Sequence, residues 1–150
     1  MNALSIILII LTLLAITLIL KNNSTPRNIG VTNGALSPVP STPNAVSSQT
    51  SDKGRQVAPL PFRQDLLESI TTINKILEEF EYIEIVKVEK NYIHAISTTK
   101  TMHFHDDIEF FFDERTKLIH FRSASRIGYS DMGVNRKRYN LLKNAYVEQD

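Results

Sequence analysis

Residues 3–20 run for 18 positions without a charge, Ala-Leu-Ser-Ile-Ile-Leu-Ile-Ile-Leu-Thr-Leu-Leu-Ala-Ile-Thr-Leu-Ile-Leu, and this stretch constrains the fold more than anything after it. As a helix it reaches about 27 Å at about 1.5 Å per residue, close to the roughly 30 Å of a bilayer's hydrocarbon core. Ser5, Thr12 and Thr17 are tolerated because their hydroxyls can bond back to carbonyls one turn earlier. A soluble core helix this apolar would need cover on every side, and no other segment of the chain supplies it. Residues 1–20 are therefore expected to form a transmembrane anchor, with the membrane as first partner. A cleaved signal peptide would show a basic start, an apolar core of roughly 7–15 residues and a small-residue cut site. Here the core is longer and Lys21-Asn-Asn-Ser-Thr-Pro26 offers no Ala-x-Ala sequence, so a retained single-pass helix is favoured. Lys21 and Arg27 weakly bias the following residues toward the cytoplasm.

From Lys21 the composition turns to Asn, Ser, Thr, Gly and Pro, with Pro26, Pro38, Pro40 and Pro43. So little apolar surface cannot offset ordering entropy, and residues 21–43 read as a disordered linker. Val57-Ala-Pro-Leu-Pro-Phe62 is an extended lead-in to the domain, which is expected over residues 44–150. Between Gln64 and Phe80 the residues Leu66, Leu67, Ile70, Ile73, Ile76, Leu77 and Phe80 recur at helical spacing and define one apolar face. Tyr82 to Glu89 and Tyr92 to Thr99 flank Lys90-Asn91 as a hairpin, and strands over Met102–Phe112 and Leu118–Ser125 follow. A last helix over Val134–Val147 shares Tyr139, Leu142 and Tyr146 on one face. Helix, four antiparallel strands, helix is an α+β order, solved by a two-layer sandwich with both helices on one face of a four-stranded sheet.

The densest polar stretch lies between the fourth strand and the last helix. Residues 122–138 hold four arginines, one lysine, three serines, an aspartate and two glycines. Strand alternation puts Arg122 and Ala124 on one face and Ser123 and Ser125 on the other. Asp131 falls near the start of the last helix, where its charge is favoured, and within reach of several guanidinium groups. Two readings are open. The residues fasten strand to helix as a charge-assisted network, or Arg122, Ser125, Arg126, Tyr129, Asp131, Asn135 and Arg138 form a pocket for a small anionic ligand or an envelope protein partner.

Three segments together resemble the bacterial and plastid family designated domain of unknown function 1499. They are Leu36-Ser-Pro-Val-Pro-Ser-Thr-Pro-Asn-Ala-Val-Ser-Ser48, Phe104-His-Asp-Asp-Ile-Glu-Phe110, and His120-Phe-Arg-Ser-Ala-Ser-Arg-Ile-Gly-Tyr-Ser-Asp-Met-Gly-Val-Asn-Arg-Lys-Arg138. The resemblance implies a small α+β domain, exported and held at a membrane by its N-terminus, hence on the periplasmic or outer face of a bacterial inner membrane. It implies no reaction and no cofactor. Many members carry Cys where Val39 and Ala45 stand here, so a clip suggested for those relatives is missing from this chain.

Other chemistry is thinly supported. There is no cysteine, which removes disulfides, thiolate metal sites and a Cys nucleophile. No Gly-x-Ser-x-Gly elbow is present. His103 and His105 would share a strand face as two metal ligands, but no clear third ligand accompanies them. Asp106 or Asp107 with Glu109 offers a carboxylate pair, so an envelope hydrolase using Asp107 and Glu109 as acid–base groups oriented by Arg122 is the competing reading. Arg136-Lys137-Arg138 beside Tyr139 is a weak nucleic-acid signal, because 17 Lys and Arg nearly balance 16 Asp and Glu.

Overall fold

A computed structural model describes residues 2–149. The first helix, α1, spans Ala3–Asn23, capped by the Asn2 side chain, which accepts from the Ser5 N–H. Among the described residues it is the one helix long and apolar enough to cross a membrane. Its leucines and isoleucines are exposed all round, and only Asn22 at its end is buried. Thr12 and Thr17 donate to the carbonyls of Leu8 and Leu13, both at 2.8 Å.

Segment 21–43, expected as a disordered linker, instead lies ordered against the domain. Strands β1 (Val31–Thr32) and β2 (Ala35–Leu36) form a small antiparallel hairpin. Its two-residue turn, Asn33-Gly34, has both φ angles positive (53° and 75°), which asparagine and glycine tolerate best. Leu36 is buried against Tyr92 and Phe111, with Ile29 and Val31 packed alongside. This apolar patch offsets the ordering that the surrounding polar composition could not.

The main sheet has six strands rather than four. Strands β5 (Ile83–Glu89), β6 (Tyr92–Thr98), β7 (His105–Asp113) and β8 (Leu118–Ser125) form the expected meander. The free edge of β8 is then filled by two short pieces, β3 (Ala45–Ser47) at one end and β4 (Leu60–Pro61) at the other. An edge strand left open exposes unpaired amide groups, and these segments cover it. Pieces of two or three residues show no alternation, which is why they carry no pattern in the sequence.

Helices α2 (Leu66–Glu79) and α3 (Val134–Val147) cover one face. Asp65 caps α2 by accepting the Glu68 N–H at 2.8 Å. Leu67, expected on the buried stripe, is 73% exposed. The core joins Ile73, Ile76 and Leu77 of α2 and Tyr139, Leu142 and Tyr146 of α3 to Ile93, Ile108, Phe110, Phe112, Ile119 and Phe121 of the sheet. Phe110 and Phe121 pair across strands, rings 5.2 Å apart and edge to face. The opposite face carries Tyr92 and His94, then Asp107, Glu109 and Phe111, then His120 and Arg122, as the β6–β7–β8 register requires. It is covered by the β1–β2 hairpin and the end of α1. Phe110→Ala empties the centre of the core and is expected to lower unfolding free energy by about 3–5 kcal/mol, measured by urea titration of the full chain in detergent.

Candidate functional site

Strand β7 buries three carboxylates, and each is met by an arginine. Asp106 points to the helix face, where Arg138 Nη2 donates to it at 2.7 Å. Arg138 Nη1 also donates to Asn135 Oδ1 at 2.7 Å and to Ser123 Oγ at 3.1 Å. Asn135 is fully buried and knots this side together: its amide reaches the Asn44 carbonyl, Ser125 Oγ and Asp131 Oδ2. Asp131 does not take a guanidinium in this network. It accepts the N–H groups of Gly133 at 3.0 Å and Asn135 at 2.8 Å, fastening the first turn of α3. These bonds, with that from the Asn135 side chain, outweigh partial burial and hold its carboxyl below the ordinary range.

Asp107 and Glu109 point to the other face. Arg126 clasps Asp107 with a fork, Nε to Oδ2 at 2.9 Å and Nη2 to Oδ1 at 2.8 Å. His94 Nε2 lies 2.8 Å from Oδ1. Burial works to raise the Asp107 pKa, yet the bonds to His94 and Arg126 prevail and hold it below the usual carboxylate value. Glu109 accepts from Arg122 Nη1 at 2.6 Å, from the Tyr92 hydroxyl at 2.8 Å and from the Gly30 N–H at 2.8 Å. Burial first, then the Glu109 charge, drives the Tyr92 pKa far above that of a free phenol.

The end of α1 belongs to this face. Asn22 donates its amide to the His103 carbonyl at 2.8 Å and accepts the His105 N–H at 2.9 Å. Its own carbonyl accepts from Arg126 Nη1 at 3.1 Å. Between the α1 end, the following segment and the sheet lies a cavity of about 280 Å³. Lys21, Arg122 and Arg126 line it against a single acid, Asp107, with Ser24, Asn28, Thr42, Asn44 and Ser125 among the polar walls. Even with Glu109 counted beneath Arg122, one positive charge is in excess. Arg122 Nε is buried and has no hydrogen-bond partner among the described residues.

The seven residues expected in one pocket therefore separate. Arg122, Ser125 and Arg126 line the cavity. Asn135, Arg138 and Asp131 serve the strand-to-helix network on the helix side, and Tyr129 stands 75% exposed in the loop between. Alternation along β8 was readable, but the sheet's thickness between the two clusters was not weighed. Tyr92, His94, Asn22 and Lys21 were missed. The first two lie opposite Phe111 and Glu109 in the register and reach Glu109 and Asp107 diagonally; the others fell inside the supposed linker. His103 is a correction: it lies before β7 at a φ of 51°, so it does not share a strand face with His105. Among the described residues no group of three His, Asp or Glu is placed to hold a metal.

The family model described as protein of unknown function (DUF1499) matches residues 35–145. The chain belongs to this family. The match takes in β2 through most of α3, so it contains the Asn135 network and the pairs Arg122–Glu109 and Arg126–Asp107, but not α1 or the residues 21–30 that complete the cavity. No curated protein and no solved structure matches the chain.

Asp107 provides a pH signature. Its folded pKa lies below the unfolded value of about 3.9, so its stabilisation is present above that value and is lost as pH falls through the folded pKa. Asp107→Asn should lose about 3–5 kcal/mol at neutral pH by leaving Arg126 unpaired. Its stability should then fall less steeply than the parent's from pH 5 downward in urea titrations.

Proposed function

We propose that this protein is a membrane-anchored binding domain of the cell envelope, which holds a small anionic group, a carboxylate or phosphate, in the cavity beside Arg122 and Arg126. The observation that carries this reading is the excess of cationic lining there, with a buried guanidinium N–H left over. A buried donor without a partner costs about 1–3 kcal/mol, and an anion reaching Arg122 would recover part of it. The cell-envelope placement rests on the α1 composition and on the export that the family resemblance implies. Retention of α1 is supported by Asn22, whose three bonds make the helix end part of the domain.

The hydrolase reading fares less well on geometry. Asp107 and Glu109 are each clasped by a guanidinium in a buried setting and take further bonds from His94, Tyr92 and Gly30, so the lone pairs a general base would use are already engaged. The chain then divides into an anchor, a connecting segment packed on the sheet and the domain.

Thermal unfolding of the full chain in detergent, with inorganic phosphate and acetate as probes, tests the site. At about a hundredfold excess over Kd a ligand adds about 2.7 kcal/mol, so the parent should melt several degrees higher. The double variant Glu109→Gln with Arg122→Gln removes both charges together, leaves no lone buried ion, and should fold yet show no rise. A parent that melts unchanged with either probe overturns the reading. For placement, alkaline phosphatase fused after Asp150 should be active; a stable but inactive fusion would place the domain in the cytoplasm.

A further inference from the structure

The exposed apolar residues of the domain are unevenly placed. Met102 is 62% exposed and Phe104 39% in the β6–β7 loop, and Tyr129 is 75% and Met132 90% in the β8–α3 loop. Both loops lie at the end of the sheet where α1 joins: the Arg126 N–H bonds the His105 carbonyl, and Asn22 bonds His103 and His105. Tyr82, Val134 and Leu141 line a groove of their own between β5 and α3, while Leu67, Val86 and Val147 stand apart from both groups.

A second observation fixes depth. An open groove of about 460 Å³ is lined by Ala15, Leu18 and Ile19 of α1 together with Met102, Phe104 and Ile127. Leu18 and Ile19 belong to the apolar run that has no protein cover and requires hydrocarbon. Side chains that wall the same groove sit at nearly the same level. Lys100, exposed in the β6–β7 loop beside Met102, is a residue whose ammonium group can reach the headgroups of a bilayer.

We propose that the loops 99–104 and 127–132 form a second membrane contact, seated in the bilayer that α1 crosses, with lipid acyl chains filling the groove beside Leu18 and Ile19. This rests on the anchor reading above and is independent of any anion in the cavity. The domain is thereby pressed against the membrane rather than held away from it on a tether. Aromatic and methionine side chains suit the boundary, since they bury apolar surface about 5–10 Å into it without carrying charge below the headgroups.

The chain has no tryptophan, so single reporters are unambiguous. Full-length Leu14→Trp, Met102→Trp, Met132→Trp and Leu67→Trp variants would be reconstituted in phosphatidylcholine vesicles with and without acyl-brominated lipid. Leu67 is the water-facing control, since α2 carries it about 18 Å from the helix end nearest the membrane. Emission from Leu14→Trp, Met102→Trp and Met132→Trp should shift to the blue and be quenched by bromine, and that of Leu67→Trp should do neither. Quenching at Leu14 with none at Met102 and Met132 overturns the second contact while leaving the anchor in place. Absence of quenching at Leu14 overturns both. Quenching at only one of the two loop positions removes the other loop from the surface.

Discussion

Three acidic side chains in one strand, Asp106, Asp107 and Glu109, are buried, and the rest of the domain is arranged around their needs. A carboxylate removed from water costs several kcal/mol unless a cation and hydrogen bonds meet it. Arg138 arrives from α3, Arg126 from the end of β8 and Arg122 from its middle. The pairings tie α3 and both the middle and the end of β8 to β7. They also fix register, because a slip of one residue would turn Asp107 into the phenylalanine-rich core and Phe110 outward.

Strong periodicity made the central body legible before any coordinates. The strand Leu118–Ser125 and the helix Val134–Val147 were readable to the residue, because each has a clear period and a turn or polar boundary at both ends. The lead-in at Val57–Phe62 was read as extended, and it supplies β4 and buries Val57 and Leu60. What failed did so for a physical reason. The composition of residues 21–43 averages to that of a flexible chain, and the average hid Val31-Thr-Asn-Gly-Ala-Leu36. An Asn-Gly pair between apolar residues is a hairpin signal on its own, and three apolar contacts suffice to dock it. Strands β3 and β4 were illegible because they are too short to alternate and exist only where β8 needs a partner.

The polar residues were recognisable as unusual, but their grouping was not. Sequence proximity suggested one junction from Arg122 to Arg138. The sheet divides it into a network that holds α3, centred on Asn135, and a cation-rich cavity on the opposite side, centred on Arg122 and Arg126. The first is closed and structural: the side chain of Asn135 is engaged by Asn44, by Ser123 and Ser125 of β8, by Asp131 and by Arg138 of its own helix. The second retains a buried Arg122 N–H without a hydrogen-bond partner among the described residues, and a cavity that Arg122 lines. That contrast, more than the abundance of arginine, favours the cavity side for the anion site proposed above.

Asn22 has a mechanical consequence. Through its amide, its acyl oxygen and its main-chain carbonyl it bolts the last turn of α1 to β7 and to the guanidinium that grips Asp107. Helix and body then turn together as one lever. In the anchored protein proposed above, a bilayer thinner than the 21-residue helix would make that helix lean, and the sheet with its Arg122 cavity would turn with it.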